Sequence, residues 1–378
     1  VRTAENAYSR LDVVESPNIH SAQGLSLGYF GDLPPQAGLI VDAGTLLPVP
    51  AREETDPAML EHMPSAVAYR VRPDGDALIL GSGGGTEVLT ALANTGGQVT
   101  VIEPNELVAE AMETDLAEWA GLADEPRVTL MSEELRTAAE RIDETYDVVV
   151  LSLAERFQPV TSGAFTLTED YTLTTEAFAA YLALLEPDGL FVIHRWLQDP
   201  PSETVRTLAT ILAALDVPDP ARHVAAFRSF QHGTFVVFPA GFADDEMEAL
   251  LAGVDDLRYD LTLAPRMPEE MVNRYARLPE PVYAETYREL IEAPDPEAFF
   301  ASQPFDVTPP TDAHPFFFHY FRAEQTPEVL DNLGRRWQPF GGSGYFVLVA
   351  LLAFAVMAAL LFVLLPVVLR RRFRDGLR

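Results

Sequence analysis

A run of glycines followed at a fixed distance by a glutamate has the residue types and spacing of a nucleoside-binding site. The run comprises Gly81, Ser82, Gly83, Gly84 and Gly85. Without Cβ atoms, its glycines can turn sharply and let a ligand lie against the backbone. Glu103 follows 22 residues after Gly81, and a carboxylate at that distance can accept both hydroxyls of a ribose. We therefore assign the run and Glu103 to the binding of a nucleoside.

The elements that must position these residues follow one another in the order strand, turn, helix, strand. Ala77–Leu80 is a short apolar run of the kind that forms a buried parallel strand. Thr86–Asn94 has the apolar spacing of a helix, and Val99–Ile102 reads as the next strand. The turn would then aim the N–H groups of a helix N-terminus at a ligand above the sheet.

The type of nucleoside is narrowed by what the run lacks. It departs from the GxGxxG pattern, and no lysine follows it, since all 26 basic residues of the chain are arginines. It is therefore not a phosphate-cradling Walker loop. A glycine turn with a carboxylate for the ribose and no lysine to bind phosphate favours S-adenosylmethionine or a related compound over NAD or ATP.

Composition sets the outer bounds. The 378 residues, 48% of them hydrophobic, can form one large domain or two modest ones with a real core. The net charge of −31 argues against nucleic acid as a partner. The acid-rich, lysine-free composition is typical of a salt-loving or GC-rich source, and it would also suit a cationic substrate. The absence of cysteine excludes disulfides and thiol chemistry.

A long uncharged segment lies near the C-terminus. Tyr345–Leu369 contains 25 residues without a charge, about 37 Å as a helix, which exceeds the roughly 30 Å of a bilayer core. We predict a transmembrane helix that contacts membrane lipid. The arginines after it favour a cytoplasmic C-terminus, which would place the nucleoside domain outside. We therefore expect the chain to be part of a larger polytopic protein whose nucleoside-binding domain is cytoplasmic.

The remaining elements predict a doubly wound α/β fold with four regions. Before the glycine run, the β-type runs Arg10–Glu15, Gly24–Phe30 and Gly38–Asp42 predict a cap of hairpins, and Pro57–Arg70 predicts a helix. The expected regions are 1–72 (cap and lead-in helix), 73–260 (nucleoside-binding domain), 261–340 (helical and linker region) and 345–369 (transmembrane helix).

Helices and strands alternate after Glu103. The predicted helices are Leu107–Trp119, Glu133–Arg141, Phe178–Leu185 and Glu203–Leu215. The predicted strands are Arg127–Met131, Tyr146–Leu153 and Leu190–His194, with a closing hairpin of Val224–Phe230 and Thr234–Phe238. Ligands of such sheets bind above the carboxyl ends of the strands. That rule brings Ser132, Glu133 and the segment Ser152–Glu155 to the site of the glycine run.

Several segments resemble spermidine synthases. The run MLEHMP, Met59–Pro64, is similar to the MLxHxP segment of that family, and the glycine run, Glu103, PRVTL and YDVVVLS follow at the family's intervals. The phrases DYTLTTEAF, TDAHPFFFHYF and WQPFGGSGY are similar to its membrane-anchored bacterial branch. The resemblance covers roughly residues 9 to 365.

This resemblance implies a methyltransferase-like (Rossmann-like) fold with an N-terminal β cap. It implies an enzyme of polyamine biosynthesis that transfers an aminopropyl group from decarboxylated S-adenosylmethionine to a small amine. Gly81, Gly83 and Gly85 would then hold the methionine-derived part, with Ser82 and Gly84 completing the turn. Glu103 would bind the ribose, and Ser132 with Glu133 the adenine edge.

The chain departs from that family at the catalytic positions. Its Tyr-His-Glu before the ML pair is replaced by Asp56, Pro57 and Ala58, and its two aspartates after the fourth strand by Ser152 and Glu155. Transfer to an amine needs a carboxylate that binds the ammonium and helps remove its proton. Ser152 cannot be that base and Glu155 could, with Glu169 or Asp170 orienting the amine. Alternatively, Glu155 is a solvated acid in an enzyme that has lost or changed its acceptor.

Three functions remain open from the sequence: aminopropyl transfer, S-adenosylmethionine-dependent methyl transfer, and non-catalytic nucleoside binding within a polytopic membrane protein.

His314 and His319 have no third ligand at a fixed spacing, so no metal is predicted. The segment Ile291–Pro309 is rich in proline and acid and predicts a linker or lid. A homodimer is compatible with the sequence.

Overall fold

The computed structural model describes residues 1–153, 168–327 and 342–367. They belong to two compact units. The first contains the described residues within 1–153, 170–302 and 307–315, and the second contains those within 168–169, 303–306, 316–327 and 342–367. The candidate site lies wholly in the first unit.

A four-stranded antiparallel sheet covers the N-terminal part of the first unit, and it confirms the predicted β cap. Its strands, in spatial order, are β1 (Arg2–Glu5), β2 (Arg10–Glu15), β3 (Gln36–Val41) and β4 (Leu46–Pro50). The predicted strand Gly24–Phe30 is wrong, because this segment forms turns. Its polar groups bond to distant parts of the unit instead of to a neighbouring strand: the Gly24 N–H donates to His232, and the Ser26 hydroxyl donates to the Leu257 carbonyl.

The lead-in helix is two helices rather than the single one predicted for Pro57–Arg70. They are α1 (Pro57–Glu61) and α2 (Ala66–Val71). The break falls at Met63 and Pro64, since proline restricts the residue before it and cannot continue the hydrogen-bond ladder. Asp56 caps α1 by accepting the Ala58 N–H at 2.9 Å.

An eight-stranded sheet forms the centre of the first unit. Its strands are β5 (Ala77–Leu80), β6 (Val99–Glu103), β7 (Val128–Ser132), β8 (Tyr146–Leu151), β9 (Leu185–Trp196), β10 (Val224–Arg228), β11 (His232–Val237) and β12 (Asp260–Leu263). Their spatial order is β12-β10-β11-β9-β8-β5-β6-β7. Strands β5 to β9 are parallel, while β11 is antiparallel to both of its neighbours, β9 and β10.

The order of these strands reverses at β5, so the chain winds outward from β5 in both directions. This arrangement confirms the doubly wound, methyltransferase-like α/β fold. The predicted closing hairpin is β10 and β11. Strand β12 pairs with β10 at the edge and was not predicted from the sequence.

The other helices of the first unit follow in chain order. They are α3 (Thr86–Asn94), α4 (Glu106–Glu113), α5 (Ala117–Ala120), α6 (Leu135–Arg141), α7 (Thr175–Leu182), α8 (Glu203–Leu215), α9 (Asp244–Asp256), α10 (Val282–Glu292) and α11 (Pro296–Ser302). Short 3-10 turns lie at Arg52–Glu54, Gly83–Gly85, Pro220–Arg222, Glu269–Met271 and Ala323–Gln325. The bounds predicted for α3 and α8 are confirmed.

Other helix bounds were wrong for local reasons. The predicted Leu107–Trp119 breaks into α4 and α5 at Thr114, whose backbone leaves the helical region with φ −121° and ψ −82°. Helix α7 ends at Leu182 instead of Leu185, because Leu185 already begins β9. Residues 186–189 form a bulge within that strand, between the pairs Tyr146 with Leu185 and Val148 with Leu190.

The second unit contains short aromatic segments and the C-terminal helix. In it, the Asp306 N–H donates to the Tyr320 carbonyl at 3.0 Å, and the rings of Phe317 and Phe318 meet edge-on. Helix α12 (Gly342–Ala359) continues through a π-helical turn, Leu360–Leu364, to Val367. The residues from Val368 onward, including the arginine cluster, lie outside the described part of the chain.

Within the described residues, one helix is long and apolar enough to cross a membrane by length and composition. It spans the 20 residues Leu348–Val367 with a mean hydropathy of 3.1, and the chain buries none of it. Its length is about 30 Å at ~1.5 Å per residue, which matches a bilayer core.

A buried ion pair fixes the edge of the sheet beside β12. Asp260 is 1% exposed and accepts the backbone N–H groups of Arg274, Tyr275 and Ala276 at 2.6 to 2.8 Å. The guanidinium of Arg228 lies 3.2 Å from the same carboxylate. Burial lowers the pKa of Arg228, and the charge of Asp260 opposes that shift.

We expect Asp260→Ala to lower the free energy of unfolding by about 3 to 5 kcal/mol, because it leaves Arg228 buried without its counter-ion and frees three backbone N–H groups. The matched control is Asp244→Ala, which removes a partner 2.8 Å from Arg266 where both side chains are over three-quarters exposed. Urea denaturation should separate the two variants clearly. Equal, small effects would contradict the structural role of Asp260.

Candidate functional site

The glycine run forms a tight turn between β5 and α3. Gly81, Gly83, Gly84 and Gly85 have φ of +85°, +56°, +78° and +88°. Side chains rarely tolerate this conformation, so glycine is required here. Among the described residues, no side chain caps the first turn of α3, and the turn therefore presents backbone N–H groups at the carboxyl ends of the parallel strands.

The cap lies directly over this turn. A Cβ atom added to Gly84 would overlap the carbonyl oxygen of Pro48, in the middle of β4. Nearby, the indole N–H of Trp119 donates to the Val49 carbonyl at 2.8 Å, and Arg52 donates to the Gly121 carbonyl. These contacts hold β4 against the turn and α5.

Glu103 ends β6 and faces the turn. It is 5% exposed. Its Oε2 accepts the Ser82 backbone N–H at 3.1 Å and the Ser82 hydroxyl at 2.5 Å, while its Oε1 accepts the Asn105 N–H at 2.9 Å. Burial raises the pKa of Glu103, and these hydrogen bonds oppose the shift. Three of about four acceptor positions are thus filled by the chain itself.

Ser132 lies beside Glu103, and the side chain of Glu133 is directed elsewhere. The register of β6 and β7 pairs Glu103 with Ser132, and Ser132 is exposed. Glu133 forms an ion pair with Arg141 and lines a groove of about 550 Å³ that the glycine run does not border. The structure therefore brings Ser132, but not the side chain of Glu133, towards Glu103.

Ser152 binds the turn itself. Its side chain is 3% exposed, and its hydroxyl donates to the Gly81 carbonyl at 2.5 Å. This contact joins the end of β8 to the glycine run. Glu155, the proposed base, lies outside the described residues. Asp170 accepts the Thr172 N–H and hydroxyl at 3.0 and 2.6 Å, so it is engaged in its own turn.

A cluster of buried ionisable side chains also lies beside the glycine run, and it was not predicted from the sequence. Its members are Glu87, in the first turn of α3, His194 on β9 and His232 on β11, which are 8%, 3% and 8% exposed. The rule that ligands bind above the carboxyl ends of strands could have found His194, because β9 ends two residues later. Nothing in the pattern around Glu87 or His232 distinguishes them.

Polar contacts connect this cluster. The His194 Nε2 lies 2.8 Å from the Ser65 hydroxyl oxygen, and its Nδ1 lies 3.0 Å from the Thr234 hydroxyl. The Ser65 hydroxyl also acts on the Glu87 carboxylate and favours its ionised form. If the Thr234 hydroxyl donates to Nδ1 of a neutral His194, the Nε2–H donates to Ser65, and the proton of the Ser65 hydroxyl is then available to Glu87.

Burial sets the charge states of the cluster. It lowers the pKa of His194 to about 3 and that of His232 to about 4, so both rings are neutral near pH 7. It raises the pKa of Glu87 to about 7, and the bond from Ser65 opposes that rise. Glu87 therefore exchanges its proton near neutral pH, which is the range suited to a general acid or base.

The cluster borders a small cavity of about 40 Å³. Its walls include Gly83, Thr86 and Ser152 from the region of the glycine run, together with Glu87, His194 and His232. Segments before the run close it with Gln23, Gly24, Pro48, Met63 and Pro64. Within the described residues, no three His, Asp or Glu side chains come together as a set of metal ligands.

Comparison with known proteins gives a structural likeness only. No family model matches the sequence, and no curated protein matches it. Spermidine synthase from Thermotoga maritima is similar over 74% of this chain and 79% of its own, with 16% identity and a TM-score of 0.44. A probable spermidine synthase from Corynebacterium glutamicum ATCC 13032 is similar over 67% and 86%, with 15% identity and a TM-score of 0.44.

A third similar structure is a putative SAM-dependent methyltransferase from Streptococcus mutans. It aligns over 56% of this chain and 57% of its own, with 13% identity and a TM-score of 0.36. The similarities to these three structures do not distinguish aminopropyl transfer from methyl transfer.

We expect Gly84→Ala to lower the free energy of unfolding by about 2 kcal/mol or more, because it adds a Cβ at positive φ against the Pro48 carbonyl. Gly96→Ala is the control, since its Cβ meets only the Asp74 carboxylate, the end of a flexible side chain, at 3.1 Å. Thermal and urea unfolding would measure both. Equal stability of the two variants would show that β4 and the turn separate easily.

Glu87→Gln should change how stability depends on pH. The ordinary pKa of 4.5 is raised to about 7 in the folded protein, so the stability linked to Glu87 is present below about pH 4.5 and is lost as pH rises through about 7. The variant lacks this loss. Relative to wild type, the free energy of unfolding of Glu87→Gln should therefore rise by about 3 kcal/mol between about pH 4 and pH 8.

The two histidines titrate in the opposite sense, but they are present in both proteins and cancel in the comparison. Urea unfolding at a series of pH values would measure the difference. Parallel stability curves for the two proteins would show that Glu87 is not a buried acid with a raised pKa.

Proposed function

We propose that this protein is a membrane-anchored transferase of spermidine synthase type, which moves an aminopropyl group from decarboxylated S-adenosylmethionine to an amine. The observation that carries the proposal is the position of Glu103. Its carboxylate lies at the carboxyl end of β6, 3.1 Å from the backbone nitrogen of Ser82 in the glycine turn. This is the geometry of a ribose acid beside a nucleoside-binding turn.

In this proposal, residues 73–260 form the nucleoside-binding domain. The turn Gly81–Gly85 holds the aminopropyl arm and sulfonium of the donor. Glu103 accepts the ribose hydroxyls, one of them in place of the Ser82 hydroxyl, which is free to rotate. Ser132, beside Glu103 in the register, contacts the adenine edge. Glu133 would have to leave Arg141 to take part.

The reaction places few demands on the protein. The neutral amine attacks the carbon next to the sulfonium, a new C–N bond forms as the C–S bond breaks, and methylthioadenosine leaves as a neutral thioether. The protein must align the two reactants and accept one proton. The net charge of −31 raises the local concentration of a cationic acceptor.

The apolar helix Leu348–Val367 supports the anchoring part of the proposal by its length and composition. Tyr345–Leu369 would contact lipid, and the nucleoside-binding domain would lie in the cytoplasm, where adenosyl donors are made. No metal is required, because the sulfonium is already an activated leaving group.

The test is calorimetric titration of the full chain in detergent micelles with decarboxylated S-adenosylmethionine, S-adenosylmethionine and methylthioadenosine. Glu103→Gln should weaken binding of the decarboxylated donor by roughly 10- to 100-fold, because it removes a charged acceptor of ribose hydroxyls. Ser82→Ala is the matched variant, since it removes the partner of Glu103 within the chain and leaves the carboxylate in place.

The two variants separate a ligand role from a structural one. If Glu103 only holds the turn, both variants should lose stability and bind the donor alike. If it binds ribose, Ser82→Ala should retain binding. Tighter binding of S-adenosylmethionine than of its decarboxylated form would favour methyl transfer, and no binding of any of the three compounds would refute the nucleoside site.

A further inference from the structure

Two unpaired polar atoms belong to side chains that line the 40 Å³ cavity. Among the described residues, the Glu87 Oε1 and the His232 Nε2 are buried without a hydrogen-bond partner. Each such atom costs free energy unless a ligand or water satisfies it. An acceptor and a donor thus both lack a partner at one small cavity beside the glycine run.

The nature of each atom follows from its neighbours. The His232 Nδ1 accepts the Gly24 N–H at 3.1 Å, so the neutral ring carries its proton on Nε2 and that atom is a donor. The Glu87 Oε2 lies 3.8 Å from the His194 Nε2, and the nearby Ser65 hydroxyl favours the ionised carboxylate. Its Oε1 remains as an acceptor, which is anionic when Glu87 is ionised.

The size of the cavity limits its occupant. A water molecule needs roughly 10 to 15 Å³ of such space, so about 40 Å³ holds a small head group with one or two waters. An ammonium group fits, because one N–H can donate to the Glu87 Oε1 and another to a water whose oxygen also accepts the His232 Nε2–H.

We propose that this cavity binds the primary amine of the acceptor and that Glu87 takes up its proton, with Ser65, His194 and Thr234 as positioning residues. The proposal rests on the transfer function proposed above. The ammonium gives one proton to the Glu87 carboxylate, and the resulting amine attacks the carbon next to the sulfonium. The C–S bond breaks, and the product leaves as a secondary ammonium.

This assignment supplies the carboxylate that the family's catalytic positions lack in this chain. Glu87 follows the glycine run by two residues, so an amine held on it lies close to the donor arm that the turn would hold. Ser152, which cannot act as a base, borders the same cavity and keeps the Gly81 carbonyl engaged.

Several ionisable side chains surround Glu87. Facing it are His194 from β9, His232 from β11, Tyr69 from α2 and Tyr259 before β12, and Arg195 acts on His194 from the same strand. Near pH 7 the histidines and tyrosines are neutral, since burial lowers the pKa of both histidines and raises the pKa of both tyrosines. Among these groups, Glu87 is therefore the one that changes its charge near neutral pH.

Amine binding is tested first, without the adenosyl donor. The full chain in detergent micelles is titrated calorimetrically with n-butylamine, and with n-butanol as its uncharged analogue. We expect at least a tenfold weaker affinity for n-butylamine in Glu87→Gln and an unchanged affinity in Glu110→Gln, an exposed glutamate on α4. Equal affinity of Glu87→Gln and wild type for n-butylamine would overturn the proposal, as would tighter binding of n-butanol than of n-butylamine by wild type.

The second experiment tests proton uptake by Glu87, through the pH dependence of methylthioadenosine release. Glu87→Gln should lower kcat/KM for the amine by about 100-fold or more and abolish the acid limb near pH 7. Ser65→Ala, which keeps the carboxylate, should shift that limb to higher pH, because its hydroxyl stabilises the ionised form. An unmoved limb in both variants would contradict the role of Glu87.

The two proposals fail in different ways. Loss of adenosyl binding by Glu103→Gln tests the nucleoside site, and Glu87→Gln should leave the affinity for methylthioadenosine within twofold of wild type. If wild type binds no adenosyl compound but binds n-butylamine through Glu87, the transferase is refuted and the amine site stands. If it binds methylthioadenosine but no n-butylamine, the amine site alone is refuted.

Discussion

The contact between the backbone of β4 and the glycine turn is the constraint on which the rest of the first unit depends. The Pro48 carbonyl oxygen occupies the space that a side chain at Gly84 would need. The turn is therefore defined by two requirements at once, a positive φ and the absence of a Cβ. Because the cap rests on the turn, it also fixes the start of α3 and hence the position of Glu87.

The two buried carboxylates of the site differ in their hydrogen-bond partners. Glu103 accepts three hydrogen bonds from Ser82 and Asn105, which keep it oriented and favour its ionised form. Glu87 is favoured in its ionised form by the Ser65 hydroxyl alone, and its Oε1 has no hydrogen-bond partner among the described residues. The first arrangement suits a permanent acceptor, and the second suits a group that gains and loses a proton.

The sequence predicted the parallel half of the sheet well because its signals are local. Apolar runs identified β5, β6 and β8, and the glycine run lies between β5 and α3 as expected. The segment Gly24–Phe30 was misread because its apolar spacing resembles a strand, whereas two of its hydrogen bonds go to His232 and Leu257, more than two hundred residues away in the chain. Such contacts leave no periodicity to read.

The candidate site shows the same division. Glu103 could be predicted because it follows the glycine run at a characteristic distance. The cluster of Glu87, His194 and His232 could not, since its members come from α3, β9 and β11 and meet only when the sheet assembles. Glu133 follows Ser132 at the end of β7, but its pairing with Arg141 depends on the direction of its side chain, which the sequence does not show.

The cavity beside Glu87 draws its walls from segments as far apart as Gln23 and His232. No partly folded chain contains it, because each wall belongs to a different element of the first unit. Any small molecule that occupies it binds the native state alone and so shifts the folding equilibrium by mass action. Such an occupant would act as a pharmacological chaperone, because it holds the cap, α3 and the β10–β11 hairpin together in one cooperative unit.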